Sequence, residues 1–257
     1  MPALIFDCDG VLADTERDGH LPAFNEAFLE FGLPVRWSER EYGAKLAIGG
    51  GRERVASALT PDVVGAGRIP VDPEGRRLWL ERFHARKTEI FAAIVQSGRL
   101  PARPGVVRLV DEALGAGWLL AVASTSAESS VRAVLDHVLG GDRATRFAVF
   151  AGDAVDAKKP DPAIYELAVA RMGVAPAETL AIEDSRNGLL AATRAGLRCI
   201  VTVSSYSSGE DFSEAALVVS SLGDLTAPAE ILANRSSASP EALVALRDLE
   251  AVLRSPA

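Results

Sequence analysis

The sequence predicts an α/β fold, a doubly wound parallel sheet with a helical domain inserted into it. Three observations carry this. Short apolar runs of strand length recur along the chain and are continuous rather than alternating, the pattern of strands covered on both faces. Between them lie segments with apolar residues at three- and four-residue intervals, and strand–helix alternation builds a parallel sheet. The rhythm breaks once, between the first run and the second, over a stretch with only helix-like segments.

The first run, Ala3-Leu4-Ile5-Phe6, ends in Asp7-Cys8-Asp9-Gly10 and reads as a buried strand entering a glycine-bearing loop. Helix-like segments follow at 21–31, 52–59 and 74–94, so 15–97 is expected to be an inserted helical cap domain. Residues 1–14 and 98–257 then form a discontinuous core, with Gly98-Arg99-Leu100-Pro101-Ala102-Arg103-Pro104-Gly105 as the return linker. Further strands are expected at 119–123, 147–150, 179–182 and 199–203, with 217–219 as one more. Helices are expected at 106–115, 128–139, 162–172 and 188–195, which have polar or proline starts and glycine near their ends. Beyond Asn234 a Ser-rich joint leads to an amphipathic helix running to about Arg254, with Pro240 expected in its first turn.

Composition narrows the class. A chain of 257 residues with 48% hydrophobic and 24% charged residues can bury a full core, which excludes general disorder. The 27 Lys and Arg against 35 Asp and Glu leave a net charge of −8, which argues against a nucleic-acid groove but not against a small anionic ligand. The longest apolar run, at 118–123, is far below the roughly 20 residues that span a bilayer, and no basic region precedes an apolar stretch at the N-terminus. A soluble, unsecreted protein without a membrane partner is expected, in the cytoplasm or in a plastid stroma after loss of a transit peptide. Cys8 and Cys199 form no C-x-x-C pair and read as reduced core residues. The oligomeric state is left open.

Ligands of a doubly wound sheet bind beyond the carboxyl ends of its strands. Asp7 and Asp9, then Ser124, then Lys158 and Lys159, then Glu183 and Asp184 fall at such ends. Each has a plain structural reading alone: turn chemistry for the D-x-D, a helix cap for Ser124 or Glu183-Asp184, a solvated pair for the lysines. An EF-hand is excluded because Val11 stands where a third oxygen ligand belongs. Together the groups converge on one sheet edge, and carboxylates crowded there repel unless a cation joins them. Mg²⁺, with its oxygen ligands and retained waters, fits that need and recruits phosphate. Asp7 is then placed to attack phosphorus, Asp9 to protonate the leaving alkoxide, and Ser124 and Lys159 to hold the transferring oxygens.

In this order the motifs resemble those of the haloacid dehalogenase-like phosphohydrolases: Asp7-Cys8-Asp9-Gly10-Val11-Leu12, Ser124 after an apolar strand, Lys159-Pro160, and Glu183-Asp184-Ser185-Arg186-Asn187-Gly188. The resemblance implies a phosphorylated Asp7, Asp9 as acid and then base, and Lys159 as the cation balancing Asp7 and phosphate. It also implies Mg²⁺ on the Asp7 carboxylate, the Asp9 backbone carbonyl and Asp184, with Glu183 nearby or acting through water. The pair Lys158-Lys159 leaves two candidates for the inward lysine, and the one preceding proline fits the family.

The insert resembles the cap of the xylulose-1,5-bisphosphate phosphatases of the CbbY type. The segments that carry this are Glu16-Arg17-Asp18-Gly19-His20, Tyr42, Ile48-Gly49-Gly50-Gly51-Arg52-Glu53-Arg54 and His84-Ala85-Arg86-Lys87-Thr88-Glu89. This implies that Glu16, His20, Tyr42, Gly50, Gly51, Arg52, Glu53, Arg54, His84, Arg86 and Lys87 contact the sugar or a second phosphate, with Thr125 and Ser126 beside Ser124. The glycines also read physically as backbone N–H groups offered to an anion next to Arg52, with Lys87 as a second cation. The function expected is a phosphatase acting on a small phosphosugar. Its alternatives are a β-phosphoglucomutase-like isomerase, in which the phosphoaspartate passes its group to another hydroxyl, and a phosphorylatable receiver module, which has no need of a helical insert.

Overall fold

The computed structural model describes residues 1–98 and 100–255; Arg99 of the expected linker, Pro256 and Ala257 lie outside the described residues. In chain order the elements are β1 (Ala3–Phe6), a π-type turn over Glu16–His20, α1 (Leu21–Glu30), α2 (Glu39–Lys45), α3 (Gly51–Ala56), α4 (Pro61–Ala66), α5 (Pro73–Gln96) and α6 (Val106–Gly115). They continue with β2 (Leu119–Ser124), α7 (Glu128–Leu139), α8 (Gly141–Ala144), β3 (Phe147–Ala151), α9 (Ala163–Met172) and a 3₁₀ turn at Pro176–Glu178. The last are β4 (Thr179–Glu183), α10 (Arg186–Arg194), β5 (Arg198–Thr202), β6 (Leu217–Val219), β7 (Ile231–Asn234) and α11 (Leu246–Arg254). The chain divides into two compact units, Met1–Asp14 with the chain from Pro101 onward, and Thr15–Leu100.

The first unit is a seven-stranded sheet in the order β3-β2-β1-β4-β5-β6-β7. Strands β1 to β6 run parallel, and every residue of β1 and β4 is buried, as the continuous apolar runs require. After β1 the order proceeds through β2 to β3 on one side, then returns to β4 on the other. That reversal opens a crevice at the carboxyl end of the central strand. Helix α6 buries Val106, Leu109, Val110 and Ala113, one stripe at helical spacing.

Two expectations are corrected here. Strand β7, unanticipated in the sequence, pairs antiparallel with β6 at the sheet edge, where its Ile231-Leu232 stretch stays partly exposed. A four-residue edge strand with one partner leaves too short a pattern to read. The terminal helix starts at Leu246, not near Pro240: Asp248 Oδ2 accepts the Ala245 N–H at 2.9 Å and sets the start.

The second unit packs α1 against α5 around Phe24, Phe28, Trp37, Tyr42 and Phe83, with Phe28 edge-on to Trp37 at 4.8 Å. Each such fully buried ring contributes about 1.5–3 kcal/mol of transfer free energy. Three of the helix starts are capped by side chains: Ser38 with Glu41 at α2, Thr60 at α4, and Asp72 on the Gly75 N–H at 2.7 Å at α5. Among the described residues no helix is long and apolar enough to cross a membrane.

Candidate active site

Strand register assembles the core of the site. Phe6 of β1 is level with Val122 of β2 and Ile182 of β4, so Asp7, Ala123 and Glu183 follow at one height on three adjacent strands. Lys159 meets all three. Its Nζ donates to Asp7 Oδ1 at 2.7 Å, to the Ala123 carbonyl at 2.8 Å and to Glu183 Oε1 at 2.6 Å, which uses the three protons of an ammonium. Burial by itself would drive that ammonium's pKa down, but Asp7 and Glu183 outweigh it and hold it above the usual lysine range. Lys158 instead turns to the Gly152 carbonyl and to Asp153, which identifies the inward lysine.

Tyr165, on the first turn of α9, donates its hydroxyl to Glu183 Oε1, and its ring centroid lies 5.0 Å from Lys159 Nζ. Burial, with the charge of Glu183, pushes the phenol's pKa up and keeps it a neutral donor. Glu183 fits because position 188 is glycine: a Cβ there would come within 1.9 Å of its Oε2. Its other contact is the Asp184 N–H at 3.3 Å. Glu183 is thereby fixed against Lys159 and Tyr165.

Asp7, Glu183 and Asp184 are buried, and each offers an oxygen within 4.8 Å of the others. Burial pushes the Asp7 carboxyl well above its ordinary range, and Glu183, Asp184 and Asp9 add to this against the pull of Lys159. One ammonium on Asp7 and Glu183, with Asp184 and Asp9 close by, leaves a surplus of negative charge. An all-oxygen donor set with that surplus fits a hard divalent cation. Asp184 is held by Ser204, whose Oγ donates to Oδ2 at 2.6 Å, and a Cβ at Gly10 would come within 2.1 Å of the same oxygen.

Asp9 and the loop after β2 are joined, since Ser126 Oγ donates to Asp9 Oδ2 at 2.5 Å. Ser124, 1% exposed at the end of β2, accepts the Ser126 N–H at 3.1 Å, and Thr125 lies half-buried between them. Arg103 ties the Asp7-Asp9 loop to the neighbouring strand ends: its guanidinium donates to the carbonyls of Gly10, Thr202, Val203 and Ser220. Sequence reasoning missed Tyr165, Arg103, Ser204 and the Ala123 carbonyl. The only signals were an aromatic six residues past Lys159, an arginine among the linker prolines, and the serine run after β5.

Three groupings form within the helical unit. Glu16 accepts from Tyr42 Oη and, at 3.3 Å, from Arg54 Nη1, which also reaches Tyr42 Oη at 3.1 Å. Lys87 Nζ lies 2.7 Å from His20 Nδ1 and 4.5 Å over the Phe24 ring, and His20 stacks on Phe91. His84 packs on Gly51, where a Cβ would come within 2.9 Å of Nε2.

Two cap readings change. Arg86 is not with His84 and Lys87: it bonds Glu30 at 2.6 and 2.8 Å and Glu89 at 2.8 Å on the unit's surface. Residues 84 and 87 share a helical face and 86 falls about 100° away from 87. The glycine turn is not a bare anion cradle either. Helix α3 has six residues, and its Glu53 carboxylate lies over Gly50, 2.1 Å from where a Cβ would sit, beside Arg52.

Residues 1–196 match the haloacid dehalogenase-like hydrolase family. The chain is 47% identical to a CBBY-like protein of Arabidopsis thaliana over 86% of its own length and 69% of the relative's. It is 42% identical to the plasmid-borne protein CbbY of Cupriavidus necator, over 89% of this chain and 88% of that one. Among solved structures, CbbY from Rhodobacter sphaeroides is similar with a TM-score of 0.77 and 38% identity, covering 88% of this chain and 98% of that one. That protein has been solved in complex with phosphate and, as a variant, with xylulose-1,5-bisphosphate.

Proposed function

The chain belongs to the haloacid dehalogenase-like hydrolases and is a phosphatase, and on that premise we propose that it removes a phosphate from a sugar bisphosphate such as xylulose-1,5-bisphosphate. The reaction is Mg²⁺-dependent and passes through a phosphoaspartate. The observation that carries the chemistry is the level placement of Asp7, Ala123 and Glu183 around the single ammonium of Lys159. It keeps a positive charge beside the Asp7 carboxyl at the end of the central strand.

Asp7 attacks phosphorus, the ester oxygen–phosphorus bond breaks, and the leaving sugar oxygen takes the proton of Asp9. The Asp9 carboxylate, held by Ser126, then takes a proton from the water that attacks the phosphoaspartate. Phosphate leaves, Asp7 is again a carboxylate and Asp9 is again protonated. Ser124 donates to a phosphoryl oxygen, and the Lys159 ammonium, its three protons already committed, balances the charge of Asp7 and the phosphoryl group. A Mg²⁺ ion held by Asp7, Asp184 and the Asp9 main-chain carbonyl supplies neutralising charge for the phosphate and the clustered carboxylates. Glu183 keeps Lys159 in place.

In the helical unit, Glu16, Tyr42 and Arg54 form a polar group suited to sugar hydroxyls, and Arg52, Lys87 and His84 supply donors for the second phosphate. The bisphosphate complex of the Rhodobacter sphaeroides relative supports this class of substrate.

The test is a phosphate-release screen over sugar monophosphates and bisphosphates, with Mg²⁺ and after exhaustive chelation. The expected result is metal-dependent release with preference for a ketose bisphosphate. Equal rates on monophosphates refute the bisphosphate reading, turnover in chelator refutes the metal, and an isomerised sugar phosphate without phosphate release establishes the mutase.

A further inference from the structure

The carboxylate Asp184 follows β4, and one hydrogen bond that orients it comes from the loop after β5. Ser204 Oγ donates to Asp184 Oδ2 at 2.6 Å. A carboxylate accepts and does not donate, so the one hydroxyl proton of Ser204 is committed to Asp184. The 3.2 Å contact between Ser204 Oγ and Ser207 Oγ then has a single polarity: Ser207 donates to Ser204. Ser207 Oγ in turn accepts the Ser204 N–H at 2.9 Å. The result is a directed relay, Ser207 to Ser204 to Asp184, in which all three side chains are buried.

The loop that carries the relay is itself pinned. Arg103 donates to the carbonyls of Thr202 and Val203 just before Ser204, and to that of Gly10. The Val203 N–H bonds the Val219 carbonyl at 2.9 Å. On its other side Asp184 Oδ2 rests against Gly10, whose φ of +81° and missing Cβ make the space. The neighbouring Ser205 takes no part, since it bonds both oxygens of Asp14.

We infer that Ser204, polarised by Ser207, is a positioning residue that fixes the Asp184 carboxylate for binding the divalent cation. The inference rests on the magnesium reading given above. Without the Ser204 hydroxyl, Asp184 Oδ2 loses this bond, and the ordering that the relay provides in advance must accompany metal binding. Partners of this kind beyond the ligands themselves change metal affinity by about 10–100-fold.

The experiment is calorimetric titration of the metal-free 257-residue chain with MgCl₂, alongside its melting temperature in chelator. Ser204→Ala should weaken Mg²⁺ binding about tenfold. Ser207→Ala, which does not touch Asp184, should weaken it by a smaller factor, and Ser205→Ala should leave it unchanged. Wild-type affinity in a folded Ser204→Ala variant overturns the inference. If Ser204→Ala does not fold, Ser207→Ala decides: weaker binding supports the relay and unchanged binding overturns it. A wild-type chain that takes up no Mg²⁺ removes the magnesium reading itself and the inference with it.

Discussion

Replacing Asp7 by asparagine should stop turnover and make the metal-free protein more stable. Lys159 Nζ lies 2.7 Å from Asp7 Oδ1 and, at an effective dielectric of about 20, attracts the ionised carboxylate by about 6 kcal/mol. Glu183 and Asp184 offer oxygens within 4.8 Å and each repel it by at least about 3.5 kcal/mol on the same scale. The attraction and the two repulsions nearly cancel, which leaves the burial of an ionised carboxylate and the charge of Asp9 uncompensated, the direction in which the Asp7 carboxyl is pushed. The nearly isosteric amide keeps an oxygen for Lys159 and removes the charge. A gain of about 1–3 kcal/mol follows, on the order of 5 °C in melting temperature for a chain of this size. Differential scanning in chelator measures it, and phosphate release measures the activity. Added Mg²⁺ should raise the melting temperature of the wild type more than that of the variant, since the variant lacks a ligand. A variant that melts several degrees below the wild type in chelator refutes the electrostatic account. Measurable turnover refutes the nucleophile.

Arg52→Ala should raise KM for a sugar bisphosphate by about 10–100-fold, the loss of a bidentate phosphate contact, while hydrolysis of p-nitrophenyl phosphate stays near normal; equal losses on both substrates would make Arg52 a folding residue. Arg103→Met should cost about 3–5 kcal/mol, read in a urea titration, because four partly buried carbonyls lose their charged donor. Burial, reinforced by Glu183, pushes the Cys199 thiol well above its ordinary 9.0. The folded chain keeps a proton that the unfolded chain releases, so this contribution is complete below about pH 9 and declines as pH rises past it. Stability should therefore fall less between pH 8 and pH 10 in Cys199→Ala than in the wild type, and the native thiol should resist alkylating reagents at pH 8.

The alternation of apolar runs with helical stretches, and its one interruption, were enough to read the six parallel strands and the longer helices but not β7 or the short helices α2, α4 and α8, because strands buried on both faces leave continuous apolar stretches that little else produces. The polar groups at the strand ends were legible for the same reason: a parallel sheet puts its crevice there, and Asp7, Asp9, Ser124, Lys159, Glu183 and Asp184 each follow a strand or precede a helix. What the tertiary structure decided is which of these groups touch. The choice of Lys159 over Lys158 follows from three strands placing Asp7, Ala123 and Glu183 at one height, and register is a relation between segments far apart in the chain. Tyr165, Arg103 and Ser204 carry no local signature, since a buried phenol, a guanidinium on carbonyls and a serine on a carboxylate are defined by partners 18, 93 and 20 residues away. Arg86 and Glu53 show the converse. Both lie within motif-like stretches, yet helical phase turns one to a surface ion pair and folds the other over Gly50. A residue's type and its distance from a strand end are properties of the chain, whereas the direction of its side chain is settled by packing against neighbours that only the folded state brings near.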